Sequence, residues 1–178
     1  MSSLQKFHRR TNVGGGAPSP FTTLGSGNAT VGFWLGDLAT NRLVVAPSST
    51  DVTRAWGSQG TVRSTTVTSY GLGNTNTLYG FGATAHPAAY YCKTLATGGY
   101  NTWYLPARDE LTTCWSNHAA TPFATANAFN QIVYWASTEF NDIYAWLQYF
   151  NGAFAGGNGY SGKNMGTYYV RAVRRSTI

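Results

Sequence analysis

The chain has 178 residues, enough for one domain with a substantial core and too few for two ordinary ones. Charged residues make up only 10% and aromatics 15%, both far from average usage. Such a composition suits either a surface that binds through rigid aromatics and adaptable hydrogen bonds or a loop-rich β protein whose turns need Gly and Asn. Half of the Lys and Arg that give the net charge of +6 lie at the ends, as Lys6, Arg9, Arg10 and Arg171, Arg174, Arg175. No basic stripe interleaved with aromatics runs through the middle, which argues against nucleic acid as the partner.

Residues 1–27 read as an extended arm: a basic stretch, KFHRR, then a run rich in Gly, Pro and Ser without periodicity. Lys6, Arg9 and Arg10 are its candidate contacts to an acidic partner surface. The first thirty residues contain no apolar run resembling a signal peptide, and the chain contains no segment for membrane insertion. The protein is therefore expected to be assembled in the cytoplasm.

From residue 28 a single domain is expected. VGFWLG (31–36) and RLVVAP (42–47) predict a hairpin, and residues 48–80 read as long loops pinned by buried aromatics such as Trp56. Two helices follow. The first covers 86–96, with Pro87 early and Gly98-Gly99 after its end; the second covers 107–117, with Asp109 and Glu110 in its first turn, where the helix dipole favours carboxylates. A weaker helical stretch is predicted at 122–131. Strands are then predicted at 134–138, 144–150 and 167–175, the last two joined by an exposed Gly-rich loop. Helices followed by antiparallel strands make an α+β domain.

Catalytic chemistry finds no foothold in the sequence. The adjacent acids Asp109 and Glu110 are explained by helix capping, and no Ser or Cys has a nucleophile context. His8, His86 and His118 are scattered, with His86 read as a cap or surface residue. Cys92 and Cys114 match no zinc spacing and are expected to be buried thiols, a disulfide between them remaining open.

Three segments carry a resemblance. YNTWYLPARDEL (100–111), YWASTEF (134–140) and the pair YAWLQYFNGAF and TYYVRAVRR (144–175) resemble the ordered motifs of a C-type-lectin-like family. That family includes the C-terminal domain of a bacterial collagen-like adhesin and many phage tail-fibre and virion proteins. It is related to formylglycine-generating enzymes and to retroelement-diversified variable proteins. Upstream, RLVVAPSSTDVTRAW, NTNTL and HPAAYYCKTL are similar to phage members. The resemblance implies a C-type-lectin-like fold, with two helices packed on short antiparallel sheets, long loops, and the arm in front. Trp103, Leu105, Pro106, Glu110, Trp135, Ser137, Glu139, Trp146, Arg171 and Arg174 match its motifs and are read as structural, with Glu139 and Arg171 expected to pair as ions. The cysteine pair of the formylglycine-generating relatives is missing near the C-terminus, so oxidase activity does not carry over.

What remains between motif positions is the candidate ligand surface: Phe140, Asn141, Asp142, Ile143, Tyr144, Leu147, Tyr149, Asn158, Tyr160 and Asn164. Aromatic anchors ringed by small polar residues suit a binding hot spot. Glu139, Asn141 and Asp142 offer the acidic cluster for a weak Ca²⁺ site, but Ca²⁺ takes six to eight oxygens, so no metal or other cofactor is expected. The resemblance implies a bacteriophage virion protein, a non-enzymatic adhesin for a host-surface glycan or protein. The alternatives are an architectural decoration or neck protein held by its arm, a bacterial adhesin, and, last, a degenerate enzyme. Fibre proteins of this kind often form homo-trimers, but no heptad or collagen repeat in the sequence carries that expectation.

Overall fold

The computed structural model describes residues 33–38, 41–119, 128–129 and 133–177. The arm with Lys6, Arg9 and Arg10, and nearly all of the weak helical stretch at 122–131, lie outside the described residues.

The elements are β1 (Phe33–Leu38), β2 (Asn41–Val45), a 3-10 turn (Ser48–Thr50), β3 (Val52–Thr53), α1 (Gly71–Tyr79), α2 (Pro87–Thr94), α3 (Arg108–Asn117), β4 (Val133–Glu139), β5 (Tyr144–Tyr149), β6 (Asn158–Gly162), β7 (Tyr169–Val170) and β8 (Val173–Thr177). They form a three-stranded sheet, β1-β2-β8, and a five-stranded sheet, β3-β7-β4-β5-β6. All pairs are antiparallel except β4 with β7. The domain is α+β, as expected.

β4 is buried along its whole length because both of its faces are covered. Val133 and Trp135, with Ala145 and Leu147 of β5, meet Leu78 of α1 and Ala88, Ala89 and Cys92 of α2. Tyr134, Ala136 and Phe150 meet Leu111 and Cys114 of α3 and Leu43 and Val45 of β2 on the other face. The period-two alternation of the strands thus builds two core layers. Cys92 and Cys114 are buried free thiols, one in each layer.

Four expectations need correction. First, α1 lies inside the stretch read as loop. Its sequence, GLGNTNTLY, is poor in helix formers, and tertiary bonds hold it. Asn74 donates to the Val67 carbonyl at 2.7 Å, while Thr75 Oγ1 donates to the Leu105 carbonyl and accepts from the Leu105 N–H, each at 3.1 Å. Second, the described residues therefore contain three α-helices rather than two. Third, the Gly-rich loop after β5 contains β6, since ladder bonds to β5 outweigh the weak strand propensity of Gly. Fourth, residues 167–175 are not one strand. The backbone passes from β7 in the large sheet to β8 in the small one, with Val173 exchanging main-chain bonds with Tyr104 at 2.8 and 2.9 Å.

The helix starts follow the expected chemistry. Pro87 is the first residue of α2. At α3, Glu110 reaches back to the Ala107 N–H at 2.9 Å, but it does more than cap. Its buried carboxylate also accepts from Gly71 N–H at 3.0 Å, the Tyr104 hydroxyl at 2.8 Å and Arg175 Nε at 2.9 Å, joining α1, α3 and β8.

Candidate functional site

β4, β5 and β6 end in a compact tip. Asn141 Oδ1 accepts from the N–H groups of Ile143 and Tyr144 at 2.9 and 2.7 Å, closing the β4–β5 turn as an Asx turn. Phe140 and Asn141 N–H both donate to the Tyr144 carbonyl. Gly60 N–H donates to the Asp142 carbonyl, and Lys163 N–H to the Ile143 carbonyl, so the tip is tied from two further segments.

On this tip stands an aromatic platform. The rings of Phe140 and Tyr160 stack with centroids 4.3 Å apart and planes 7° apart, and they are 43% and 52% exposed. Tyr144 lies 5.5 Å from Tyr160, and Trp146, cross-strand partner of Tyr160, meets Phe140 edge-on at 5.2 Å. Arg108 of α3 lies 5.0 Å from the centroid of the Trp146 ring. Its Nε donates to Asp109, while its terminal amino groups bond no described residue. Offset and edge-to-face rings support one another, so the platform is preorganised while exposing its faces.

Under the platform lies a buried charged cluster. Glu139 and Lys163 form an ion pair at 2.5 Å with both side chains almost fully buried. The Glu139 carboxylate also accepts from the N–H groups of Arg63 and Ser64, each at 2.9 Å. Ser64 has φ 58°, the one non-glycine residue in the left-handed region among those described. This strained conformation delivers its N–H to the carboxylate. Lys163 Nζ donates to the Thr61 carbonyl at 3.0 Å and lies 5.0 Å from the Trp56 ring centroid. Arg63 Nε donates to His86 Nε2 at 2.9 Å. The imidazole is fully buried, edge-on to Trp56. Burial, aided by the neighbouring charges of Arg63 and Lys163, lowers its pKa from 6.5 to about 4.

The structure redraws several sequence expectations here. Glu139 and Arg171 do not pair: the partner of Glu139 is Lys163, and Arg171 Nε lies 3.3 Å from Asp51 and donates to the Ala46 carbonyl. Arg171 sits where the backbone leaves β7, on the Asp51 side of the sheet, whereas Lys163 follows β6 beside the end of β4. His86 does occupy the N-cap position of α2, but it is a core residue rather than a surface one. Leu147 is not part of a ligand surface, because odd-numbered β5 side chains face the α1/α2 core, and it is 1% exposed. Tyr149 shares that face and is half-buried. It lines a cleft of about 550 Å³ with Phe154, Gly157 and Gly159, and this cleft reaches Asn158 and the platform residue Tyr160.

The remaining candidates sort plainly. Ile143, Asn158 and Asn164 are exposed and Asp142 is half-buried. Asn158 donates to Thr112 of α3 at 3.3 Å. Two of the three groups sought for Ca²⁺ are already engaged: the Glu139 carboxylate by three donors and Asn141 Oδ1 by two N–H groups.

Of the motif residues, Trp103, Leu105, Pro106, Glu110, Trp135, Ser137, Glu139, Arg171 and Arg174 are buried. Trp103 and Trp135 each donate to one carbonyl, of Thr97 and Arg54. Arg171, Arg174 and Arg175 are therefore not a basic surface cluster: the first two are buried and the third binds Glu110. Trp146 departs from the structural reading by bordering the platform half-exposed. Arg108, Phe154 and the His86–Arg63 contact were not foreseen. The only hint was Phe154 as a lone aromatic among glycines and alanines.

A family model described as the Lcl C-terminal domain matches residues 48–174, well over half of the chain. The chain belongs to this family. The Lcl C-terminal domain match runs from the 3-10 turn through Arg174 in β8, so it contains most of both core layers, the platform and the charged cluster. It leaves out β1 and β2. No curated protein matches the chain.

Proposed function

We propose that this chain is a non-enzymatic adhesin with a C-type-lectin-like fold, a bacteriophage virion component that binds a host-surface glycan or protein through the Phe140–Tyr160 platform. One observation carries the reading. Four aromatic residues, Phe140, Tyr144, Trp146 and Tyr160, converge on one tip, and three of them are exposed. Exposed rings held in register by a hydrogen-bonded turn and an ion pair are costly to keep for stability alone, and they suit recognition of a flat apolar face. The sugar rings of a glycan and the side chains of a protein both present such faces. Arg108, whose terminal amino groups hydrogen-bond no described residue, adds a polar anchor at the border.

The test is binding of purified protein to host cells, comparing wild type with a Phe140→Ala, Tyr144→Ala, Tyr160→Ala triple variant. All three residues are exposed, so the variant should fold with a Tm close to wild type. Specific binding that the variant loses supports an adhesin with its site on the tip. Absence of binding by folded wild type, also when presented as an oligomer, rejects the reading and favours an architectural virion protein docked by its arm.

A further inference from the structure

β6 is the outer strand of the five-stranded sheet. Bonds from Tyr149 N–H to the Gly157 carbonyl at 3.0 Å and from Lys163 N–H to the Ile143 carbonyl at 2.9 Å bracket its ladder with β5. With Leu147 opposite Gly159 and Ala145 opposite Ser161, the odd residues of β6 turn their main-chain groups toward β5. Asn158, Tyr160 and Gly162 turn theirs away from the sheet. Among the described residues, the one partner of those outward groups is Met165, whose N–H donates to the Gly162 carbonyl.

Natural sheets blunt such an edge with Pro, Lys, inward charges or a bulge. This one has none of them. From Ile143 to Gly162 the sequence contains no Lys, Arg, Asp, Glu or Pro, and the β5–β6 register runs without a shift.

We propose that the edge of β6 pairs antiparallel with the same edge of a second copy of this chain, about a two-fold axis at Tyr160. The adhesin platform is then a shared surface to which each copy contributes Phe140 and Tyr160. The platform's role rests on the adhesin reading above; the pairing does not.

The register is self-complementary. With Tyr160 opposite Tyr160 and Asn158 opposite Gly162, each outward N–H of the strand finds a carbonyl across the axis, about six bonds in all, the Gly162 carbonyl accepting there with its second lone pair beside the bond from Met165. The two Tyr160 rings come side by side on one face, extending the stack of each copy into a row of Phe140, Tyr160, Tyr160 and Phe140. The absence of charge in the paired stretch means that no like charges meet. Phe140, Ile143, Tyr144, Phe154, Tyr160 and Met165, each between 37 and 70% exposed, flank the edge and the tip beside it. At ~150–250 Å² per large side chain they expose roughly 500 Å² per copy, of which pairing covers only the part outside the platform faces, so two copies bury less than the ~1,000 Å² of a standard specific interface. Pairing covers the flanks and leaves the platform faces open, which places the dimer at the small, reversible end of the range. A host surface bearing many receptors would then be engaged by both halves at once.

Sedimentation velocity over a concentration series up to about 0.1 mM, where a micromolar dimer is saturated, tests the pairing. Wild type should dimerise. Tyr160→Lys and Tyr160→Glu should each be monomeric with an unchanged far-UV spectrum, because like charges then meet at the axis, and an equimolar mixture of the two should dimerise again. Asn158→Pro, which deletes an outward N–H and keeps both platform rings, should also be monomeric. A wild type that stays monomeric, an assembly that neither charge variant disturbs, or charge variants that fail to combine would each overturn the proposal. Cell binding on the same samples separates the two ideas. A monomer that binds host cells refutes the pairing and keeps the adhesin; a dimer that binds none does the reverse.

Discussion

The ion pair beneath the platform makes a quantitative prediction. Replacing Lys163 by Met keeps an unbranched apolar stem one atom shorter but removes the ammonium that lies 2.5 Å from Glu139 and over the Trp56 ring. Breaking one partner of a buried pair costs about 3–5 kcal/mol, because the other charge is left unpaired away from water. The Glu139 carboxylate would still accept from the Arg63 and Ser64 N–H groups, so Lys163→Met belongs near the lower end, about 3 kcal/mol. Glu139→Gln removes the counter-charge and leaves the buried ammonium with neutral acceptors only, the new amide oxygen, the Thr61 carbonyl and the Trp56 ring face, and should cost about 4 kcal/mol. The double variant buries no lone charge, so the two losses should fall short of additivity by about 2 kcal/mol or more. Urea unfolding followed by tryptophan fluorescence measures all three, with the m-value checked for constancy. A loss under about 1 kcal/mol for Lys163→Met, or strict additivity in the double variant, would show that the pair is not a buried, coupled unit.

Other consequences are open to direct measurement. The folded-state pKa of His86 is depressed, so its neutral form stabilises the fold fully above pH 6.5, and that contribution is lost as pH falls toward about 4. The stability difference between wild type and His86→Gln should therefore be flat above pH 6.5 and shrink by up to about 3 kcal/mol by pH 4; a difference constant across that window would refute the assignment. Gly71 opens α1 against the backbone of Leu105, Pro106 and Ala107, where a Cβ would fall closer than real atoms approach. Gly71→Ala should cost about 1–3 kcal/mol in the same unfolding assay. Burial raises the pKa of the thiols of Cys92 and Cys114, so neither should react with an aromatic disulfide reagent in the native protein, and both should react in denaturant.

How far the chain could be read in advance depended on whether a residue's partner lay nearby in sequence. α2 and α3 announced themselves through Pro87 and the carboxylates of the first turn of α3, which act within a few residues. β4 and β5 announced themselves through alternation. α1 could not, because Asn74 and Thr75 are held by Val67 and by Leu105, an anchor thirty residues away. Lys163 lay within the stretch read as an exposed Gly-rich loop, and only the fold brings it to Glu139, twenty-four residues back in the sequence. Phe140, Tyr144 and Tyr160 were legible as ligand candidates because they lie between motif positions. Leu147 was misassigned because alternation gives two faces without saying that helices cover one of them. Arg108 was missed because its part in the platform arises from the packing of α3 against β5.

The platform and the buried cluster are two sides of one construction. Glu139 ends β4 and Phe140 begins the tip, so adjacent residues point one into the protein and one out of it. Lys163 binds Glu139 through its side chain and the Ile143 carbonyl through its main chain, which fixes both the start and the far side of the β4–β5 turn. Loop 57–64 is held by the same carboxylate and, through Gly60, by Asp142. A tip tied this way loses little conformational freedom when it meets a ligand, so more of the contact energy of Phe140 and Tyr160 is realised as affinity. Loosening the cluster without touching a ring should therefore weaken cell binding. Lys163→Met, examined below its unfolding transition, is expected to reduce affinity with both platform rings intact, whereas unchanged binding would mean that the rings act without the anchor beneath them.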